Sequence, residues 1–123
     1  MINVKGEIDG ALKSLSGLDE TNVTDIWPEE LTSYPSICYI EEENKVYEAT
    51  NGSEDKSYVR FKIDVFNDRS TSDLALAIDE KISAFGLKRI QCVDLTDVKG
   101  IRHKCIRYEG IIDNETEQVY TNN

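Results

Sequence analysis

His103 is the only histidine in the 123-residue chain, so it is the first residue to ask for chemistry. It stands between Arg102 and Lys104, with Cys105 two residues on. Alternate residues of a strand share a face. They lie about 6–7 Å apart along the backbone, which is too far for a hydrogen-bonded His–Cys nucleophile pair. No serine or cysteine nearby falls in a recognisable nucleophile motif. His103 therefore reads as an exposed or interface residue of a strand. Cys92 adds a third possible donor: if the chain turns near residues 98–100, it falls roughly opposite Cys105. Structural zinc takes four ligands in close-spaced pairs such as Cys-x-x-Cys, and the sequence has none. Two buried free thiols are the expectation, with a strained cross-strand disulfide as the alternative.

The other polar groups are no more catalytic. Glu41-Glu42-Glu43 and Glu54-Asp55 read as solvated charges. A carboxylate pair acting on a glycoside needs an aromatic-lined cleft, and none is marked. Asn51-Gly52-Ser53 reads as a turn, not a phosphate loop. No catalytic residue, metal or cofactor is expected.

The chain is long enough for one domain with a true core. Fourteen basic residues against 24 acidic give a net charge of −10. Nonspecific attraction to nucleic acid or an anionic membrane is thereby disfavoured. An acidic chain could bind a basic partner, or line a passage through which nucleic acid slides without sticking. Three cysteines, odd and sparse, suit a reducing compartment. Residues 1–15 contain no uninterrupted apolar run, and no segment has the length to span a bilayer. A cytoplasmic origin is expected, with no membrane partner.

Residues 56–87 organise the remainder. Val59, Phe61, Ile63 and Val65 alternate with Tyr58, Arg60, Lys62 and Asp64, which is the period of a half-buried strand. Leu74, Ala75, Ile78, Ile82 and Phe85 then recur at helical spacing, and Gly86 ends that helix. Ser70 with Asp73 resembles a cap for a helix over residues 71–85. Leu76 falls on its polar side.

A first helix is expected over residues 2–15, striped by Ile8, Ala11, Leu12 and Leu15, with Gly17 at its end. Residues 16–33 read as a connection in which Ile26 and Trp27 form a brief extended piece. Trp27 reads as a core or rim anchor, or else as a ligand or partner contact. A strand from residue 36, apolar on both faces at Ile37, Cys38, Tyr39 and Ile40, begins a long hairpin. Asn51-Gly52 marks its turn, with a flexible tip over residues 51–55. Residues 89–95 and 102–112 are two more strands joined near residues 97–100. The fold class is α+β: a mainly antiparallel sheet of four or more strands with two helices packed on it. Residues 1–113 form one domain, and 114–123 a polar tail or docking arm.

This order of elements resembles the tail completion (tail terminator, or head–tail joining) proteins of long-tailed bacteriophages and prophages. The resemblance covers most of the chain. It rests on the short first helix, on YPSICYIEE (residues 34–42), on SYVRFKIDVF (57–66) ending in Asp64-Val65-Phe66, on the STSDLALAIDEKI helix (70–82), and on RYEGIID (107–113). It implies a structural virion protein, assembled in the bacterial host cytoplasm. Such proteins form a homo-oligomeric ring, usually a hexamer, that caps the tail tube and docks the head connector while DNA passes through. The family has no active-site residues to carry over. The working residues would be surfaces: the hairpin tip with Asn51, Gly52, Glu54, Asp55 and Lys56, the outward face with Arg60, Lys62 and Asp64, Leu76 on the second helix, and Val119 and Tyr120 in the tail. The same charge and size also suit an acidic inhibitor or immunity-type protein that blocks a basic partner.

Overall fold

The computed structural model describes residues 1–28, 30–31, 33–96, 100–117 and 119–120, the last by its backbone alone. In chain order the elements are helix α1 (Lys5–Lys13), a 3₁₀ turn (Glu20–Asn22), strands β1 (Val23–Thr24), β2 (Ser36–Thr50) and β3 (Ser53–Asn67), helix α2 (Ser72–Ser83), and strands β4 (Lys88–Leu95), β5 (Arg102–Asp113) and β6 (Val119–Tyr120). The fold is α+β. Six strands form one sheet in the order β1-β2-β3-β5-β4, with β6 also on β5. All pairings are antiparallel except β1 with β2.

β3 is the middle of the sheet, and its period-two pattern is the reason. Val59, Phe61, Ile63 and Val65 are fully buried on one face. Beside them, in register, lie Tyr39 and Ile37 of β2 and Tyr108, Ile106 and Lys104 of β5. Ile8 and Leu12 of α1 and Ala75, Ile78 and Ile82 of α2 close over that face to make one core. Each fully buried Val, Ile, Leu or Phe among them contributes about 1.5–3 kcal/mol. Two phenols pin the helices to the sheet. Tyr39 donates to Asp9 of α1 at 2.8 Å and Tyr108 to Asp79 of α2 at 2.9 Å. Burial and then the bonded carboxylate push both phenols up from their ordinary values.

Several expectations need correction. α1 is shorter than residues 2–15. Residues 2–4 are not helical; Ile2 is buried, and its carbonyl accepts from Asn44 Nδ2 at 2.6 Å. The helix stops at Lys13, and Gly17 makes its left-handed turn (φ 78°) only later. The extended piece in the first connection is Val23–Thr24, paired with Ile37 and Cys38; Ile26 and Trp27 lie beyond it and are exposed. A two-residue strand has no period to read.

The hairpin tip is tighter than expected. The strands run to Thr50 and Ser53, and Asn51 (φ 53°) and Gly52 (φ 80°) alone make the turn, the double positive φ of a type I′ hairpin. The polar stretch around it is paired strand with register shifts at Glu41/Glu43, Val46/Glu48 and Glu48/Ala49. At the start of α2, Ser70 Oγ accepts from Ser72 N–H at 3.2 Å. Phe85 drops out of the core because the helix has ended at Ser83 and Gly86 turns the chain (φ 92°); Leu87 is buried instead. Of the turn expected near 97–100, residues 97–99 lie outside the described residues, and Gly100 has φ 75°.

Within the stretch expected as a polar tail or docking arm, residues 119–120 form a strand. β6 pairs Val119 with Ile112 and Tyr120 with Ile111, and Val119 packs on the core. Two glycines make its seat. A Cβ on Gly110 would lie 2.7 Å from Leu87 Cδ2 and 3.2 Å from Val119 Cγ1, and one on Gly86 3.1 Å from Val119 Cβ. Leu87 is itself buried and cannot swing aside freely. Gly110→Ala is therefore expected to cost about 1–3 kcal/mol in denaturant unfolding, the usual range for overpacking. It should also speed hydrogen exchange at β6, and an unchanged midpoint would refute the crowding.

Candidate functional site

Both helices lie on one face of the sheet, so the other face must satisfy its side chains by itself. Period two places Tyr58, Arg60, Lys62, Asp64 and Phe66 of β3 there, beside Ile111, Glu109, Arg107, Cys105 and His103 of β5. Glu42 holds the two arginines together. Its Oε1 lies 3.3 Å from Arg60 Nε and 3.0 Å from Arg107 Nε, and its Oε2 accepts from Arg107 Nη2 at 3.3 Å. Arg107 also donates to Gln91 of β4 at 2.7 Å. Four strands are thus tied across the open face. Burial by itself would raise the Glu42 carboxyl; the Arg107 fork and the charge of Arg60 outweigh it and hold the group below its usual range. Tyr58 donates to Glu109 and lies under the Lys45 ammonium, 5.1 Å from the ring centre.

The other end of the face is built around Asp64. The expectation that Asp64 faces a partner is corrected here: its residue is 1% exposed. Asp64 Oδ1 lies 2.7 Å from His103 Nε2; Oδ2 lies 3.5 Å from the Lys62 ammonium and has no hydrogen bond among the described residues. His103 stacks on Phe66 (4.3 Å between ring centres), and Trp27 meets Phe66 edge-on at 5.6 Å. Lys62 sits 5.2 Å from the Trp27 ring. Trp27, half exposed, is therefore a rim cover over the Asp64–His103 pair. His103 is correspondingly shielded rather than open, because the cross-strand register sets it beside Phe66.

The thiols around this cluster are not poised for attack. Cys38 and Cys105 lie in register on either side of Asp64. Burial, and then the charge of Asp64, push the Cys38 thiol up to about 11 and raise that of Cys105. A nucleophilic cysteine needs the opposite shift. Cys92 is opposite Ile106, not Cys105, and all three cysteines are free. The pairs from Cys92–Ile106 to Leu95–His103 are symmetrical about residue 99, so Val93 is opposite Cys105 and Cys92 stands on the other face. Among the described residues, no three His, Cys, Asp or Glu side chains are grouped to hold a metal ion.

The remaining expected surface residues are scattered. Asn51 and Gly52 are exposed at the hairpin turn. Glu54 is engaged within the chain: the N-terminal ammonium lies 3.0 Å away, and Ser57 and Asn114 donate to it. Thr50 donates to Asp55, and Lys56 lies 3.6 Å from Glu48. Leu76 is 69% exposed on α2. Val119 is turned into its own domain, and the Tyr120 side chain is outside the described residues. Arg60 and Lys62 share one region of the open face; Leu76 and the hairpin tip are elsewhere.

No protein-family model and no curated protein matches the chain. The site is therefore defined by its geometry alone. The Trp27–Phe66–His103–Asp64 cluster escaped the sequence reading because its four members come from three separate segments. The alternation of β3 and β5 did signal which residues share the face, but not that a loop would fold over them.

Two outcomes follow. His103→Ala removes the partner of a buried carboxylate oxygen and is expected to cost about 1–3 kcal/mol. It should also red-shift the emission of Trp27, the single tryptophan; unchanged emission and stability would contradict the role given to His103. Second, the bonds from Ser57 and Asn114 and then from the N-terminus lower Glu54 from 4.5 to about 2. A depressed carboxylate stabilises the fold above pH 4.5, and that contribution disappears as pH falls towards 2. Glu54→Gln should flatten this part of the stability–pH curve; a curve with the wild-type slope would exclude Glu54 as its source.

Proposed function

We propose that this chain is a structural protein of bacteriophage or prophage virion assembly, a tail completion protein that caps the tail tube and joins it to the head connector. The observation that carries this reading is the one-sided sheet. Two helices cover one face, while the other carries a fixed ladder of ion pairs, its thiols raised rather than activated. Such a face suits a lasting contact between rigid surfaces better than turnover of a small substrate. The element order on which the resemblance rests supports the same reading: a helix, a long hairpin, a helix, then two further strands.

On this reading the chain works as a homo-oligomeric ring of about six copies, bounded by the tail tube below and the connector above. DNA crosses the central hole without specific binding. A net charge of −10 repels phosphate and keeps the passage from holding it. Assembly takes place in the bacterial cytoplasm, and the finished ring stays in the virion. Arg60, Lys62, Leu76 and the Asn51–Gly52 turn are the surfaces offered to neighbours. Leu76 is the apolar anchor among them.

The test is sedimentation of the purified chain over a concentration series, with electron microscopy in the presence and absence of tail tubes. Rings, or capped tubes, are expected. Leu76→Glu should weaken association at least about tenfold, equivalent to about 1.4 kcal/mol, without lowering monomer stability. A chain that stays monomeric at every concentration and leaves added tubes uncapped would overturn the proposal.

A further inference from the structure

The two outer strands of the sheet differ in a way that points to a partner. β1 covers β2 only at Ile37 and Cys38; along the rest of β2, no other strand among the described residues pairs with its outer edge. Among the described residues β4 pairs only with β5, and seven of its eight residues are exposed. Both strands carry apolar side chains in water: Val46 (54% exposed) and Tyr47 (51%) on β2, Ile90 (41%) and Leu95 (44%) on β4. Leu76 belongs to the β4 side. It lies one turn before Asp79, whose Oδ2 is 3.1 Å from Arg89 of β4.

Open edges of this kind recruit further strands unless something prevents it. The charges decide which strand. β2 carries four glutamates (Glu41, Glu42, Glu43 and Glu48) and one lysine; β4 carries Lys88 and Arg89 against one aspartate. In a chain of net charge −10, β4 is thus a locally basic edge facing outwards. Joining β2 to β2 across a two-fold axis would bring glutamates together, and joining β4 to β4 would bring Lys88 and Arg89 together. Like charges opposite one another destabilise a strand pair, and unlike charges support it.

We infer that the occupant of each free edge is a second copy of this chain, with the acidic β2 edge of one copy adding to the basic β4 edge of the next. This rests on the ring reading above and specifies its subunit contact. Main-chain hydrogen bonds would supply the affinity, as in strand addition generally. Val46 and Tyr47 would bury against the apolar side chains of β4 and Leu76. The contact is head to tail, and repeated head-to-tail contacts close into a ring when the rotation allows. No copy would then keep a free sheet edge.

The native, exposed Cys92 on β4 provides the probe. Cysteines placed one at a time on β2, as Glu43→Cys, Lys45→Cys, Val46→Cys or Tyr47→Cys, are oxidised with copper–phenanthroline and run on a non-reducing gel. β2 and β4 are separated by two strands, about 14 Å apart within a copy. A disulfide needs Cα atoms within about 7 Å, so any bond formed between them joins two copies. The expected result is a ladder of dimer, trimer and higher species from at least one position, abolished by Cys92→Ser. Mixing that β2 cysteine in the Cys92→Ser background with the wild-type chain should stop at dimer. A dimer from a β2 cysteine in the Cys92→Ser background alone would show β2 pairing with β2 and overturn the inference. Rings in the microscope with no ladder from any position would overturn it while sparing the ring. A ladder from a chain that leaves tail tubes uncapped would uphold the edge contact and remove the tail reading. A strict monomer without cross-links would overturn both.

Discussion

The structure depends on β3 being hydrogen-bonded on both sides along nearly its whole length. Residues 53–66 pair with β2, and residues 56–67 with β5. A strand held in this way cannot slip by one residue without turning Val59, Phe61, Ile63 and Val65 out of the core. The two helices follow from that. Each has one apolar stripe, and the β3 face is the surface against which both stripes can be buried at once. The Tyr39–Asp9 and Tyr108–Asp79 bonds then fix where along the sheet each helix sits.

Covering one face leaves the other to be satisfied without a helix. Near the hairpin end this is done by ion pairs, with Glu42 shared between Arg60 and Arg107. Single exposed pairs of this kind contribute little to stability, but a shared carboxylate restricts several side chains together. Near the other end the chain uses a loop. Trp27 and Phe66 exclude water from Asp64, and a buried carboxylate must then find its partners inside. His103 meets one oxygen and Lys62 approaches the second. The buried pair costs desolvation. What it contributes is register, since only one alignment of β3 on β5 brings Asp64 and His103 together.

The same economy appears at the chain ends. The N-terminal ammonium is held by Glu54 at the hairpin, and β6 returns the C-terminal part to β5. Met1 and strand β6 are therefore both tied to the sheet. Among the described residues, the surfaces available include the open face around Arg60 and Lys62, the outer edges of β2 and β4, the turn at Asn51 and Gly52, and the exposed flank of α2. These are contact surfaces, and the proposed role in a ring draws on them and not on a cavity.

Much of the architecture was legible in the residues. The alternation of β3 and β5, the helical stripe of α2, the Asn51-Gly52 turn and the exposure of Leu76 all follow from local periodicity, which a sequence carries directly. What the sequence could not decide depends on contacts between distant segments. β1 has two residues and exists because β2 lies beside it. Val119 reads as part of a polar tail until Gly86 and Gly110, far apart in the chain, make a seat for it. Asp64 reads as an outward charge by alternation, and it does stand on the outward face. Only the tertiary structure decided that the Trp27 loop and His103 close over it, because the burial of a side chain is set by what folds against it and not by its own strand.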